Sequence, residues 1–406
     1  MAKQRDPVLD SMRGIGIVLM VLGHSGFPGT GFIYLFHMAL FFMLSGWLFS
    51  LRGGLVHFAK RKVVTLWLPF VLANTAFTVL NNLFLRLNIL TGDERILALP
   101  GNIVTTPTTL KDVIGRTAHW CVFDGGTQLG GALWFIQALF QISILYAVVE
   151  FLLQKLLRGG DTLIAQGLVS GVLLWVGWRC GLAGWNVWGL GIAASCYSLF
   201  YLGTVLRCTT RSDIKPLHRA GLAAAAFVLL AVLGQFGSVG LAGNGYPGPI
   251  FLLAASLAGW VLVRQAACLA AAWPKFSAVL ACLGRATMPI VIFHFLSFKL
   301  VTLLGLLATG GEPYLLAAFP TYFTGGLWWL AYTVVGLALP LTGDWVYKKV
   351  REAFPLGGRW PKAGGGAALP CRPIRKRAPQ QSASRTASPS GEAKAPKFSS
   401  PSGLFF

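Results

Sequence analysis

Long apolar runs recur along the whole chain, and they limit what it can fold into. A helix needs roughly 20 mainly apolar residues to cross about 30 Å of hydrocarbon, and the sequence supplies such a run about ten times. We therefore expect an all-α, polytopic membrane helix bundle of about ten transmembrane helices. The expected spans are residues 8–25, 31–51, 63–85, 132–153, 162–178, 187–206, 219–241, 249–266, 286–308 and 321–342.

The composition supports lipid as the solvent of this chain. Of its 406 residues 55% are hydrophobic and only 12% are charged, whereas soluble domains carry roughly 25% charged residues. In a soluble protein the net charge of +21 would suggest a nucleic-acid partner. Here the Lys and Arg residues lie mainly in alternate loops and in the tail, as the positive-inside rule requires. We expect no nucleic-acid partner, and both termini in the cytoplasm.

Two segments outside the spans stand out. From residue 357 to 406 the chain is rich in Gly, Pro, Ser, Lys and Arg, which predicts a disordered basic cytoplasmic tail beside anionic lipid headgroups. Residues 1–356 then form the membrane domain. The longest loop between spans, at about 86–131, is expected to lie over an opening on the outer side.

Three ionisable residues lie in the first span, where charged groups are costly and usually functional. Asp10 and Arg13 are three residues apart and share a helix face. Eleven steps of about 100° bring His24 to within roughly 20° of Arg13, about 16 Å further along the axis. The three side chains can therefore form one inward stripe, with His24 as a general base. The alternatives are an interfacial ion pair for Asp10 and Arg13 and a polar cap of the span for His24.

A second histidine, His37, lies near the start of the next span. The short link folds this span back on the first, so we expect His37 at a depth near that of His24. No carboxylate or cysteine lies beside the two histidines, and the seven cysteines form no CxxC pair. We therefore expect no metal. Ser45 and Gly46 are expected to permit close helix packing.

A cluster of three basic residues, Lys60, Arg61 and Lys62, precedes the third expected span. Such a cluster can anchor the span on the cytoplasmic side. It can also hold the phosphates of a cytosolic ligand. Both interpretations stay open at this point.

Two N-terminal motifs resemble the membrane acyltransferase-3 family, and most closely its fucose 4-O-acetylase-like, glycan O-acetyltransferase branch. They read D-S-M-R-G-I-G-I-V-L-M-V-L-G-H at residues 10–24 and F-H-M-A-L-F-F-M-L-S-G-W-L-F at residues 36–49. G-A-L-W-F at 131–135 resembles the family's G-x-x-W-F element, and M-P-I-V-I-F-H at 288–294 resembles its late span that ends in a histidine. The basic cluster departs slightly, since it reads K-R-K where an Arg-rich form is common.

The resemblance implies transfer of an acyl group, usually acetyl, from cytosolic acyl-CoA to a sugar hydroxyl of an exopolysaccharide, an O-antigen or a lipid-linked glycan. Acetyl-CoA is then the expected donor, with no metal, and Arg13 and His24 are the essential pair. The expected catalytic residues are Asp10, Arg13, His24 and His37. The expected CoA-binding residues are Lys60, Arg61, Lys62 and Arg285, and the expected pocket residues are Trp134 and His294.

In the expected reaction His24 takes the proton of the acceptor hydroxyl, or forms an acyl-histidine, while His37 orients His24 or stabilises the oxyanion. His294 lines the tunnel or is a buried hydrogen-bonded histidine. Lys299 snorkels outward or pairs with a carboxylate. The expected location is the inner cell membrane, with membrane lipids and the polysaccharide synthesis machinery as further partners.

Two other classes of protein stay open as alternatives. A transporter or flippase of lipid-linked sugars would explain the intramembrane charges and the long outer loop. A scaffolding subunit of a polysaccharide export complex would have no need for Asp10, Arg13, His24 and His37 in adjacent spans.

Overall fold

The computed structural model describes residues 6–158, 160–209 and 215–353, and within these ranges the chain forms helices and no strand. The expected tail at 357–406 lies outside the described residues. The first helices are α1 (Pro7–His24), α2 (Thr30–Tyr34), α3 (His37–Trp47), α4 (Gly54–Lys62), α5 (Leu68–Val79), α6 (Asn81–Arg86), α7 (Leu110–Cys121) and α8 (Trp134–Leu156). The later helices are α9 (Leu163–Leu182), α10 (Leu190–Thr209), α11 (Pro216–Phe236), α12 (Pro249–Ala270), α13 (Pro274–Arg285), α14 (Thr287–Thr309) and α15 (Trp328–Ala353).

Nine helical stretches in the described ranges are long and apolar enough to cross a membrane. They coincide with the first nine expected spans, so the prediction of an all-α membrane bundle is confirmed. The tenth expected span, 321–342, falls on α15, which is 26 residues long but is not among the nine. Pro340 and Asp344 lower the apolar character of its second half. This helix packs against α14 and α1.

The predicted start of the third span at residue 63 is wrong. The helical stretch begins at Gly54, passes through the basic cluster and ends at Val79. Lys and Arg are good helix formers whose long stems can lie along a surface, so hydropathy located the apolar part of the helix and missed its first turns. One π-helical turn, Val63–Trp67, joins α4 to α5. Such turns are frequent at functional sites.

Glycines set the closest helix crossings. At the crossing of α3 and α10, a Cβ on Gly46 would lie 1.8 Å from the Phe200 carbonyl oxygen, and one on Gly203 would lie 1.9 Å from that of Met43. Gly14 of α1 and Gly284 of α13 form a second such pair, against the carbonyls of Leu280 and Asp10. Small residues let helix backbones approach in membranes, and the expected close packing at Gly46 is confirmed.

The long loop at about 86–131 is ordered by polar side chains of α5 and α6. The Asn74 side chain accepts hydrogen bonds from the backbone N–H and hydroxyl of Thr127, at 3.1 and 3.0 Å. Asn82 exchanges two hydrogen bonds with the backbone of Thr108, at 2.7 and 2.8 Å. The loop also contains α7, which begins with a capping box between Thr109 and Asp112. These bonds fix the loop against the end of α5.

Candidate functional site

Three histidines from distant parts of the chain meet at one place. His24 ends α1, His37 opens α3 and His294 lies in α14. The rings of His24 and His294 are stacked with their centroids 5.5 Å apart. His37 is linked to His24 through Tyr34, whose ring stacks on that of His37 at 5.0 Å and whose hydroxyl lies 3.2 Å from His24 Nδ1. The structure therefore brings together three of the expected site residues.

The Tyr34 hydroxyl is placed to favour one tautomer of His24. That hydroxyl also lies 3.1 Å from the Gly23 carbonyl oxygen, which can only accept. When the hydroxyl donates its one proton to Gly23, it accepts from His24 Nδ1, which then carries the ring proton. Nε2 of His24 is left with its lone pair, which is the form that a general base needs.

The other two histidines are also held through Nδ1, in their case by backbone carbonyls. Nδ1 of His37 donates to the Ile33 carbonyl at 3.0 Å. Nδ1 of His294 lies 3.0 Å from the carbonyl of Ile290 and 3.1 Å from that of Val291. Both rings are buried, at 3% and 0% exposure. Nε2 of His294 is buried and has no hydrogen-bond partner among the described residues.

A cavity of about 110 Å³, which we name the histidine cavity, adjoins this cluster. Its wall is mainly apolar, and its polar side chains include His24, Tyr34 and His37. The wall includes Met20, His24, Tyr34, His37, Phe41 and Trp134. Residues 239–242, between α11 and α12, close another side of it. Asn244 fixes that segment by donating to the Gly177 carbonyl at 2.8 Å and accepting from Ser195 at 2.7 Å.

A second and larger cavity of about 710 Å³, which we name the loop cavity, lies next to the first. Trp134 and Ala242 line both cavities, so the two meet at these residues. The loop cavity is walled by the long loop, by the start of α8 and by the segment between α9 and α10. Its lining includes Asp124, Gln128, Trp134, Gln137, Gln141 and Trp188. The long loop thus lines a cavity, and its location on the outer side of the membrane stays a prediction.

The remaining expected residues lie toward the other end of α1. Arg13 forms an ion pair with Asp10 at 3.4 Å; the Asp10 side chain is 8% exposed and that of Arg13 is 34% exposed. Lys62 is half-buried and close enough to Arg13 for their positive charges to repel. Lys60 and Arg61 are exposed. Lys62 is thus the member of the basic cluster whose charge acts on Arg13, and Lys60 and Arg61 lie in the same last turn of α4.

Arg285 joins the same end through α13. The residue before it, Gly284, packs against the Asp10 carbonyl and the Cβ of Arg13, while the Arg285 side chain is exposed. The expected site residues thus fall into two groups. The basic group surrounds Arg13, the histidine group surrounds His24, and about 16 Å of helix separates them.

Lys299 does not behave as the sequence suggested. It does not snorkel outward, and it pairs with no carboxylate among the described residues; it is 4% exposed, and its ammonium donates to the carbonyls of Ala317 and Ala318, at 2.9 and 2.7 Å. Two carbonyl acceptors replace a counter-ion here and hold the chain just after the turn Pro313–Ala317 against α14. In the part of the chain that the structure describes, no group of three His, Cys, Asp or Glu side chains is arranged to hold a metal.

Sequence reasoning missed Tyr34, the segment 239–242 and the glutamines of the loop cavity. Tyr34 lies between the two quoted N-terminal motifs, ten residues after His24, and a polar aromatic residue beside two histidines was the available signal. The segment 239–242 and the glutamines carry no local signal, because only the packing of distant helices brings them to the site.

The comparisons with known proteins identify one relationship. A family model described as an acyltransferase domain, acyltransferase 3, matches residues 6–345. No curated protein and no solved structure is similar enough to this chain to count as a match.

Proposed function

Since the chain belongs to the acyltransferase-3 family and is a membrane acyltransferase, we propose that it transfers an acetyl group from cytosolic acetyl-CoA to a sugar hydroxyl. The acceptor is an exopolysaccharide, an O-antigen or a lipid-linked glycan presented on the other side of the inner membrane. The observation that carries this proposal is the histidine cavity. There a histidine whose Nδ1 is already hydrogen-bonded lines a small, mainly apolar space that shares wall residues with a larger and more polar cavity.

His24 acts as the general base in the proposed reaction. Its Nε2 takes the proton of the acceptor hydroxyl as the oxygen attacks the thioester carbonyl. The new C–O bond gives a tetrahedral intermediate, which breaks its C–S bond. The CoA thiolate leaves and takes the proton back from His24, so that the base is restored. An acyl-histidine relay would use the same nitrogen as nucleophile.

Tyr34 and His37 support His24 as positioning residues. Tyr34 holds the proton of His24 on Nδ1, and the His37 ring stacks on Tyr34. Because Nδ1–H of His37 is used by Ile33, Nε2 of neutral His37 can accept a hydrogen bond but cannot donate one. Of its two expected roles, orientation of the site therefore suits His37 better than stabilisation of an oxyanion.

The basic group takes the CoA end of the donor. CoA phosphates are polyanionic and are costly to move into hydrocarbon, so they stay at the membrane surface. Arg13 and Lys62, with exposed Arg285, Lys60 and Arg61 around them, supply the complementary charge. The thin pantetheine arm then extends along α1 for about 16 Å toward His24.

The test uses the full-length chain in lipid nanodiscs with acetyl-labelled CoA and a lipid-linked sugar extract. We expect label in an alkali-labile ester on the sugar, and none with His24→Ala. The matched control is His218→Ala, since His218 is exposed at the start of α11, away from both cavities. Movement of sugar across the bilayer without any ester would instead favour a flippase and refute the proposed reaction. Glycan mass spectrometry of a strain lacking the protein identifies the acceptor as the glycan that loses one acetyl mass.

A further inference from the structure

The loop cavity contains two glutamines that the structure leaves incompletely bonded. Gln128 Nε2, a donor, and Gln141 Oε1, an acceptor, are buried and have no hydrogen-bond partner among the described residues. Both side chains line this cavity. Leaving a buried donor or acceptor without a partner is costly, and native structures rarely do so. Atoms of this kind in a cavity wall are suited to a ligand that supplies their partners.

The orientation of Gln141 is fixed by its neighbours. Its Nε2 donates to the Trp188 carbonyl at 2.7 Å, and Gln137 Nε2 donates to the same oxygen at 2.7 Å. If the Gln141 amide were flipped, its Oε1 would face the Trp188 carbonyl oxygen, and two acceptors would lie against each other. Oε1 is therefore the atom that is left without a hydrogen bond. The acceptor is therefore set in place before any ligand arrives, which reduces the entropy lost on binding.

The backbone that presents Trp188 is strained. Trp188 has φ +52°, a conformation that bulky residues rarely adopt, and Gly189 follows with φ +75°. A Cβ on Gly189 would lie 2.6 Å from Gln137 Nε2, so glycine is required for this approach. The conformation holds the Trp188 carbonyl within hydrogen-bond reach of Gln137 and Gln141, and Trp188 is among the residues that line the cavity.

The lining chemistry selects the class of ligand. A cavity of about 710 Å³ lies within the range of about 300–1,000 Å³ that holds compact ligands. Its wall combines aromatic rings with amide groups and contains one charged side chain, Asp124, and no Lys or Arg. A sugar ring offers an apolar face to an indole and hydroxyls that both donate and accept. Asp124, whose carboxylate is hydrogen-bonded to His119 Nδ1 at 2.7 Å, adds an acceptor for a ring hydroxyl and no cation that would attract an anionic ring.

Resting on the proposed function, we infer that the loop cavity is the acceptor subsite, that it binds a neutral hexose-type ring, and that Gln128 and Gln141 bind its hydroxyls. Because this cavity shares the wall residues Trp134 and Ala242 with the histidine cavity, a ring bound there lies beside the space that His24 lines. The glutamines are specificity-determining residues and take no part in proton transfer.

The experiment compares Gln128→Leu and Gln141→Leu with the native full-length chain in nanodiscs. The matched control is Gln235→Leu, since Gln235 is exposed on α11 and bonds only its own helix. Binding is measured by saturation-transfer NMR with methyl glucoside, methyl galactoside, methyl mannoside and methyl glucuronide as probes. We expect a neutral hexoside to bind the native chain and the control, and either glutamine variant to bind it about tenfold more weakly. The affinity for CoA is expected to stay unchanged in all of them.

Equal hexoside binding by native and variant chains overturns the inference, as does binding of the glucuronide alone or of none of the probes. If the native chain transfers acetyl to a lipid-linked sugar or to a soluble oligosaccharide, the acceptor KM of the variants should rise with little change in kcat. Comparing the lipid-linked sugar with the soluble oligosaccharide shows whether the acceptor reaches the cavity from the membrane or from solution. Hexoside binding that depends on Gln141, in a chain that transfers no acetyl group, would refute the proposed function and leave the subsite standing.

Discussion

The two ends of α1 hold their polar groups in opposite ways. At the first end Arg13 is one-third exposed, and the cations around it include the exposed Lys60, Arg61 and Arg285. At the second end His24, His37 and His294 each use Nδ1 in a hydrogen bond within the bundle. Exposed cations suit a soluble polyanion such as CoA, whereas imidazoles held at Nδ1 suit proton transfer. The comparison predicts that substitutions at the first end change CoA binding, and that substitutions at the second end change acetyl transfer.

The largest expected effect is on chemistry at the second end. His24→Gln removes the base, so we expect kcat for acetyl transfer to fall about 10²–10⁴-fold. The Kd for CoA should stay within a factor of two of the native value, because about 16 Å of helix separates His24 from the basic group. Single-turnover transfer and calorimetric CoA binding on the same preparation measure both. Parallel loss of transfer and of CoA binding would contradict the separation of the two ends.

The next effect is on binding at the first end. Lys62→Gln should raise the Kd for CoA about tenfold, since a charge-assisted contact to phosphate is lost, with kcat at saturating donor little changed. Lys60→Gln should have a smaller effect because Lys60 is exposed, whereas Lys62 is half-buried beside Arg13. Lys349→Gln, in an exposed position of α15, is the control. Equal effects at residues 60 and 62 would show that the cluster acts only as a surface charge.

The difference between Lys60 and Lys62 illustrates what the sequence could not predict. The spans could be predicted, because a run of roughly 20 apolar residues has few alternatives to crossing a membrane. The stripe of Asp10, Arg13 and His24 followed from helical periodicity alone. The rotation of α4 about its axis decides which lysine of the cluster lies toward Arg13. That rotation depends on the π-helical turn Val63–Trp67 that follows α4, and hydropathy reports neither feature.

The histidine end shows the same limit in its partners. His294 was expected from its resemblance to a family motif, yet its stacking on His24 depends on how α14 packs against α1. The loop cavity joins the long loop, α8 and the segment before α10, which are far apart in the sequence. No local pattern predicts such a site, because it is formed by tertiary packing.

A smaller effect tests whether the second end is as rigid as the comparison requires. Tyr34→Phe keeps the ring beside His37 but removes the hydroxyl that favours one tautomer of His24. We expect kcat to fall about threefold to tenfold with the Kd for CoA unchanged, since one neutral hydrogen bond is lost. Tyr201→Phe is the matched control, because its hydroxyl bonds only the Leu163 carbonyl. Native kcat in Tyr34→Phe would remove Tyr34 from the positioning of His24.

The smallest effect concerns the loop that walls the second end. The pKa of Asp112 is lowered from 3.8 because the Thr109 N–H and hydroxyl donate to its carboxylate. A lowered pKa means that the ionised form stabilises the start of α7, and that this contribution is present above about pH 3.8 and is lost as the pH falls through the lowered value. We expect hydrogen exchange in the first turn of α7 to speed up, relative to its chemical rate, as the pH drops below that point. Asp112→Asn should exchange faster at neutral pH and lose the pH dependence, whereas Thr109→Ala should only weaken that dependence, because the backbone N–H of residue 109 still donates to Asp112. A pH dependence that survives Asp112→Asn would mean that another group controls the loop.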